Sequence, residues 1–248
     1  MEIANPWFIA NGLNSFLIII AFIVPKKLLT TAGYLHAWVL GVLVWGTLGW
    51  QGYTVVMFYF LMGSAVTRIG ITEKEAAGIA ENRSGIRGPE NVWGSALIAI
   101  LCALMTLSSD SSWQQLFILG YVASFSTKLS DTTASEIGKA YGKSTFLITT
   151  LKPVPRGTEG AVSFEGTLAG VIASGVIALL AWGIGLINLA GVFWCIFSAF
   201  IATSLESLIG ATLQEKLDWM TNEVVNILNT FIGAFVAIFA AWGWSQFI

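Results

Sequence analysis

Charge is what this chain has least of. Asp, Glu, Lys and Arg make up 10% of its 248 residues, against roughly 25% in a soluble globular domain. Together with 56% hydrophobic residues and a mean hydropathy of +0.77, this excludes an ordinary soluble protein. It implies an all-α, polytopic membrane bundle forming a single domain over residues 1–248. Cysteine is almost absent as well. Cys102 and Cys195 stand alone in separate apolar runs, which excludes a disulfide framework or a thiolate metal site and leaves packing as their role. His36 is the single histidine; at the start of a span it reads as an interfacial or packed ring. The 12 Lys and Arg do not exceed the 14 Asp and Glu and form no patch on a soluble domain, so nucleic acid is excluded as a partner. No Lys or Arg precedes the first apolar run, so the basic region of a secretory signal is missing. Lys26 and Lys27 follow that run instead, which predicts a retained first helix with its N-terminus outside.

What is present is apolar sequence of membrane length. A span needs roughly 20 residues. Eight segments are candidates: Trp7–Val24, Gly33–Trp50, Tyr53–Arg68, Trp93–Leu107, Trp113–Phe125, Gly166–Ile187, Leu189–Gly210 and Val224–Trp244. The second and third are nearly continuous through Gln51-Gly52, and the fifth is clearly apolar only to Phe125. Every Lys and Arg falls between spans one and two, three and four, five and six, or seven and eight. An even count therefore gathers all 12 on one face, which the positive-inside rule makes cytoplasmic, with both termini outside. Trp7, Trp50, Trp113, Trp242 and Trp244 fall near the outer boundary, Trp93 and Trp219 near the inner one, as an aromatic belt requires. Gly166, Gly170, Ser174 and Ala178 recur every fourth residue in span six, a small-residue face suited to close helix contact.

The centre of an active site is expected in Lys128–Gly170, which holds nine charges between apolar spans. Lipid cannot satisfy the backbone of such Gly-rich polar chain, so it faces water or lines a polar cavity. Asp131 and Glu136 lie where span five meets this loop, and boundary carboxylates are functional candidates. Five residues turn a helix through about 500°, leaving the two roughly 140° apart. They share one metal only if the helix breaks or one acts from behind the other. Asp131 and Ser135 do share a face. Gly138–Ser144 reads G-x-x-x-G-K-S, one residue short of a Walker A loop and without its preceding strand, so a P-loop fold is excluded.

Other polar stretches lie on the same side. Thr72 and Glu75 have capping-box spacing, which predicts the start of a short helix. Arg83 and Arg87 flank Gly85, where two guanidiniums suit phosphate oxygens; positive-inside anchoring accounts for them equally well. Pro153, Pro155, Gly157 and Gly160 exclude a regular helix around Arg156, and turns of that kind form anion nests beside the helix N-terminus that Gly166 opens. Glu206 sits in the last turns of span seven. Asn222, Asn226 and Asn229 share one face of the eighth helix. They are costly there without polar partners; a metal, a phosphate, a base or interhelical hydrogen bonds would each satisfy them.

Taken in order, six motifs resemble one family. They are E-x5-R-x3-NVW (Glu81, Arg87, Asn91–Trp93), D-T-x-A-S-E-x-G (Asp131–Gly138), L-I-T-T (Leu147–Thr150), G-T-x-G-x-V-S-x-x-G (Gly157–Gly166), L-x-G-A-T-x-Q (Leu208–Gln214) and T-N-x-x-V-N (Thr221–Asn226). The chain, from about Thr72 onward, resembles the DUF92 integral membrane family, which includes the plant and cyanobacterial phytyl-phosphate kinases. The resemblance implies CTP-dependent phosphorylation of phytyl phosphate to phytyl diphosphate, serving tocopherol or phylloquinone synthesis from salvaged phytol. It also implies the plasma or thylakoid membrane of a cyanobacterium-like cell. The residue types suit that class, because phosphoryl transfer needs charge neutralisation, a divalent metal and positioning. Asp131, Glu136 and Glu206 are the expected Mg²⁺ ligands. Asp131, Glu136, Arg87 and Lys128 are the expected catalytic set. Contacts to the nucleoside triphosphate and the isoprenoid phosphate are expected from Glu81, Arg83, Asn91, Ser135, Arg156, Thr158, Ser163, Asn222 and Asn226. A polyprenol kinase or a lipid cytidylyltransferase would use CTP in the same way, whereas a transporter would place its binding groups near the bilayer midplane.

Overall fold

The computed structural model describes residues 5–25, 27–80, 85–214 and 216–246. They form helices α1 (Pro6–Ile23), α2 (Thr31–Val66), α3 (Ile71–Ala76), α4 (Pro89–Met105), α5 (Ser111–Tyr141), α6 (Phe164–Gly183), α7 (Leu189–Ile209) and α8 (Asn222–Ser245). Of the described helices, α1, α2, α6, α7 and α8 are long and apolar enough to cross a membrane, while α4 is apolar but shorter. The protein is an all-α polytopic bundle. Most helices begin at a side-chain cap: Asn5, Thr30, Asp110, Ser163, Asn188 and Thr221 each accept a hydrogen bond from the first turn, the residue types that best satisfy orphan N–H groups. The Trp113 N–H, then the Ser112 hydroxyl, hold the exposed Asp110 carboxyl below its ordinary pKa. This cap is therefore at full strength above the usual aspartate range and weakens as the pH falls through the lowered value.

Helix α2 has 36 residues with Gly49 at φ 63°, ψ −157° inside it. Straight, it would reach about 54 Å, far more than the roughly 30 Å of a bilayer core. It folds back instead. A Cβ built on Gly33 would lie 2.8 Å from the Arg87 carbonyl oxygen, and one on Gly63 would lie 2.8 Å from the Arg87 guanidinium. Both ends of α2 thus meet one residue, so the helix is two arms, 31–48 and 50–66, joined at a left-handed residue that only glycine adopts cheaply. These arms coincide with the second and third apolar segments of the sequence.

Helix α5 departs from expectation. The apolar run ends near Phe125, yet the helix continues for 16 more residues to Tyr141. Lys128, Asp131 and Glu136 therefore sit on a regular helix and not in a loop. The reason is its position. Every residue from Leu119 to Asp131 is buried, and α2, α4, α6, α7 and α8 all pack on it. A central helix needs protein contacts, not lipid-facing hydrocarbon. The four-residue face of α6 provides one such contact: a Cβ on Gly170 would lie 2.9 Å from the Ser130 carbonyl oxygen.

Two smaller departures follow. Helix α3 starts at Ile71 behind the left-handed Gly70 (φ 60°), and Thr72 does not cap it; Gly70 lies against Ala140, which forces that tight turn. The Pro- and Gly-rich loop after α5 contains a two-stranded antiparallel hairpin, β1 (Thr145–Leu147) with β2 (Ala161–Ser163), Phe146 opposite Val162. The ring of His36 is packed, as its position suggests: Trp93 Nε1 donates to His36 Nδ1 at 2.8 Å, tying the start of α4 to α2.

Candidate active site

Two polar cavities of about 240 and 150 Å³ adjoin at one end of the bundle. Asp131, Ser135, Lys139, Glu159 and Glu206 belong to the walls of both. Of the residues singled out from sequence, Arg87, Asn91, Lys128, Glu136, Asn222 and Asn226 complete the larger cavity. Thr158 and Ser163 border only the smaller one, and Arg156 borders neither. Glu81 and Arg83 lie outside the described residues.

The centre is a charged cluster held between three helices. Lys128 Nζ, on α5, donates to Asp131 Oδ2 at 2.5 Å and to Asn226 Oδ1, on α8, at 2.6 Å. An ammonium has three donors, so one remains for a ligand. Glu206, in the last turn of α7, lies close enough to Asp131 to hydrogen-bond with it, and within electrostatic reach of Lys128 and Glu159. Two carboxylates in contact repel unless a cation or a proton lies between them. Asp131 and Glu206 therefore form an acidic pair with room for a proton or a cation between them.

Glu136 does not join that pair. The helix stays regular, so the roughly 140° offset holds. Lys74, fully buried on α3, forms an ion pair with the Glu136 carboxylate and donates to the Thr67 carbonyl at 2.7 Å. Lys139 Nζ lies 3.9 Å from the other Glu136 oxygen. Glu136 is committed to bracing α3 against α5, although its edge borders the cavity. Among the described residues, no three His, Cys, Asp or Glu side chains form a metal cage. The Asp131–Glu206 pair still suits Mg²⁺, which ordinarily takes one or two carboxylates and fills the rest of its shell from substrate phosphates and water.

Arg87 is placed by its backbone. Its N–H donates to the Leu28 carbonyl at 3.1 Å and its carbonyl accepts from the Thr30 N–H at 3.0 Å. The guanidinium lies over the Tyr59 ring, 5.6 Å from its centroid, and Nη1 donates to the Tyr59 hydroxyl at 3.3 Å. No carboxylate pairs with it among the described residues, so its fork faces the cavity with donors to spare. Asn91 accepts from the Gly88 N–H at 2.9 Å and its amide reaches Glu223 at 3.4 Å. Asn222 accepts from Gln214, which sits in a π-helical turn, Gly210–Gln214, that extends α7.

Several of the expected contact residues also have partners within the fold. Ser163 caps α6 through the Gly166 N–H at 3.1 Å. Arg156 Nη1 donates to the Ala140 carbonyl at 2.8 Å and so closes the C-terminus of α5. Thr158 donates to the Pro155 carbonyl at 2.8 Å, and Ser135 to the Thr132 carbonyl at 3.1 Å. Asn229 lies deeper, fully buried, and borders neither cavity. Sequence reasoning missed Tyr59 and Glu159 as site residues and Lys74 as the partner of Glu136. Glu159 carried a signal, since it stands between Gly157 and Gly160, both at positive φ (84° and 73°), where the chain turns back against α7. Tyr59 and Lys74 carried none, because each takes its role from a partner remote in sequence.

Fold and site together define a polytopic α-helical membrane protein with a charged cavity at one end of the bundle. The chain belongs to the family described as integral membrane protein DUF92, whose model matches residues 14–234. It is 67% identical over 237 residues to an uncharacterized membrane protein of Synechocystis sp., covering 96% of this chain and 92% of that one. It is 44% identical over 246 residues to the chloroplastic protein VTE6 of Arabidopsis thaliana, covering 96% and 73%. An uncharacterized membrane protein of Methanocaldococcus jannaschii is 30% identical over 222 residues, 89% of each chain. No solved structure matches.

Proposed function

We propose that this protein is a membrane-embedded phosphotransferase that moves the γ-phosphoryl group of CTP to phytyl phosphate, giving phytyl diphosphate and CDP for tocopherol or phylloquinone synthesis from salvaged phytol. One observation carries the reading: Arg87, Lys128, Asp131, Glu206 and Asn226, from four separate stretches of chain, converge on a single polar cavity at one end of the bundle. The motifs shared with phytyl-phosphate kinases and the 44% identity to VTE6 support it. Both substrates are phosphates, and the acceptor oxygen is already ionised, so no strong base is needed. Arg87 and the open donor of Lys128 neutralise phosphate charge, and Asn226 fixes the lysine. Asp131 and Glu206 would hold Mg²⁺, which when bound screens the phosphate oxygens and orients the nucleotide. Two chambers meeting at that acidic pair provide one compartment for each substrate.

Purified protein incubated with Mg²⁺, labelled CTP and phytyl phosphate tests the reading. CDP and phytyl diphosphate are expected. Release of pyrophosphate would make the protein a lipid cytidylyltransferase, and no turnover of any lipid phosphate would favour a transporter.

The charged end faces the cytoplasm in this reading, across a plasma or thylakoid membrane, with eight spans and both termini outside. Ser112 in the first turn of α5 and Thr149 in the loop after that helix are both exposed, and both native cysteines are buried. Single cysteines at these two sites are expected to react with an impermeant thiol reagent from opposite sides. Reaction from the same side would refute the orientation.

Arg87→Lys separates a phosphate contact from topological anchoring. Lysine keeps the positive-inside charge but loses the bidentate fork. A charge-assisted hydrogen bond is worth roughly 1.5–3 kcal/mol, so kcat/KM is expected to fall about 10- to 200-fold with normal abundance and insertion. Wild-type kinetics would leave the phosphate to other cations such as Lys128 and Lys139, which line the same cavity.

A further inference from the structure

A third cavity, of about 340 Å³, lies between α1, the two arms of α2 and α4. Its walls are largely hydrocarbon, from Leu17, Leu40, Val56, Met57, Phe60 and Ala96 among others. One end is closed where the Tyr53 hydroxyl donates to Asn14 Oδ1 at 2.9 Å. At the other end Tyr59, Arg87, Asn91 and Ser95 belong to its wall and to that of the larger polar cavity. Among the described residues, one cation, Arg87, therefore stands at the junction of a polar and an apolar chamber. From Gly63, which touches the guanidinium, back to Tyr53 is ten residues of helix, about 15 Å or half the hydrocarbon thickness. Ile20 and Leu61 line the same cavity and are 39% and 52% exposed. The chamber thus opens sideways, between α1 and the second arm of α2, onto what would be lipid.

We propose that this chamber holds the hydrocarbon tail of the acceptor, with the acceptor phosphate at Arg87. The inference rests on reading the polar cavity as a site for an isoprenoid phosphate, and it names where that substrate enters and lies. An amphiphile with an anionic head needs two compartments sharing one cation at their boundary, and no other described part of the molecule offers both. Lateral opening lets the molecule pass from the bilayer with its tail always in hydrocarbon. A tail leaving lipid gains nothing from the hydrophobic effect, so the chamber acts by shape: it selects tail length and branching and aims the head. The Asn14–Tyr53 contact is the floor that limits how deep a tail reaches. A nucleotide, by contrast, has no use for this space and is left with the smaller polar cavity behind Asp131 and Glu206.

The test uses an alkyl phosphate bearing a diazirine at the tail end, photolysed with the full chain in nanodiscs. Adducts are expected on α1, α2 and α4, and excess phytyl phosphate is expected to abolish them. Adducts on α6 or α7, or adducts that phytyl phosphate does not displace because a bilayer lipid occupies the space, would overturn the proposal. Competed adducts in protein that never turns over CTP would uphold the tail site while refuting the kinase reading, so the two fail separately. A second measurement uses Ala37→Phe, a partly buried position on the first arm that lines the chamber. The kcat/KM preference for phytyl phosphate over a five-carbon prenyl phosphate is expected to fall about tenfold or more, the scale on which apolar pockets discriminate size. Leu17→Trp, from α1, is expected to shift the same ratio in the same direction. An unchanged ratio in both variants, each folded, would also overturn it.

Discussion

Asp131→Asn is expected to cut turnover by two orders of magnitude or more while the protein stays folded in detergent. The substitution keeps the shape and the Lys128 contact but removes one of the two carboxylates of the Asp131–Glu206 pair. A bound divalent ion contributes several kcal/mol of charge stabilisation in phosphoryl transfer, and each 1.36 kcal/mol is about tenfold in rate. The Mg²⁺ concentration giving half-maximal rate should rise as well. A purely structural role for Asp131, as the counter-charge of Lys128, predicts something different. Removing both charges in Lys128→Met/Asp131→Asn would then restore activity. Recovery in that double variant, or near-normal turnover in Asp131→Asn, would move the metal elsewhere. Measuring initial rates against Mg²⁺ for the three proteins distinguishes these outcomes.

Lys74→Met is expected to be the most destabilising single change. Lys74 is fully buried and Glu136 is 2% exposed. Removing the lysine strands a buried carboxylate, at a cost of about 3–5 kcal/mol. For a chain of this size that corresponds to a Tm lower by about 6–20 °C, toward the smaller end because Lys139 lies 3.9 Å from the same carboxylate. Tryptophan fluorescence during heating in detergent reads the change. Lys74→Met/Glu136→Leu should recover most of the loss, since a buried ion pair is often replaceable by apolar side chains of similar volume. Turnover in the double variant should then fall far less than in Asp131→Asn, because Glu136 braces α3 and stands apart from the acidic pair. A double variant that melts like wild type but is as inactive as Asp131→Asn would return Glu136 to the catalytic set. Lys74→Met with an unshifted Tm would mean that water reaches Glu136.

Composition alone determined that the chain is a membrane bundle. Low charge and long apolar runs leave few other folds, and the clustering of Lys and Arg marked which segments lie together at one end. Motif residues such as Arg87, Lys128, Asp131, Glu206 and Asn226 were also legible, because charged and amide side chains at helix ends of a membrane protein need partners. What the sequence could not determine is which partner each one takes. Asp131 and Glu136 look alike in one motif, yet the roughly 140° between them on a continuous helix sends one to Lys128 and Glu206 and the other to Lys74 on α3. Polarity after Phe125 reads as a loop because a local pattern cannot show that five helices surround α5. The reversal at Gly49 has a glycine to allow it, but glycine permits a turn without requiring one; only the meeting of Gly33 and Gly63 at Arg87 shows that it occurs. The apolar chamber beside Arg87 has no sequence signature at all. Its walls come from α1, α2 and α4, whose apolar residues look the same facing lipid or facing a cavity, and only their tertiary arrangement decides which.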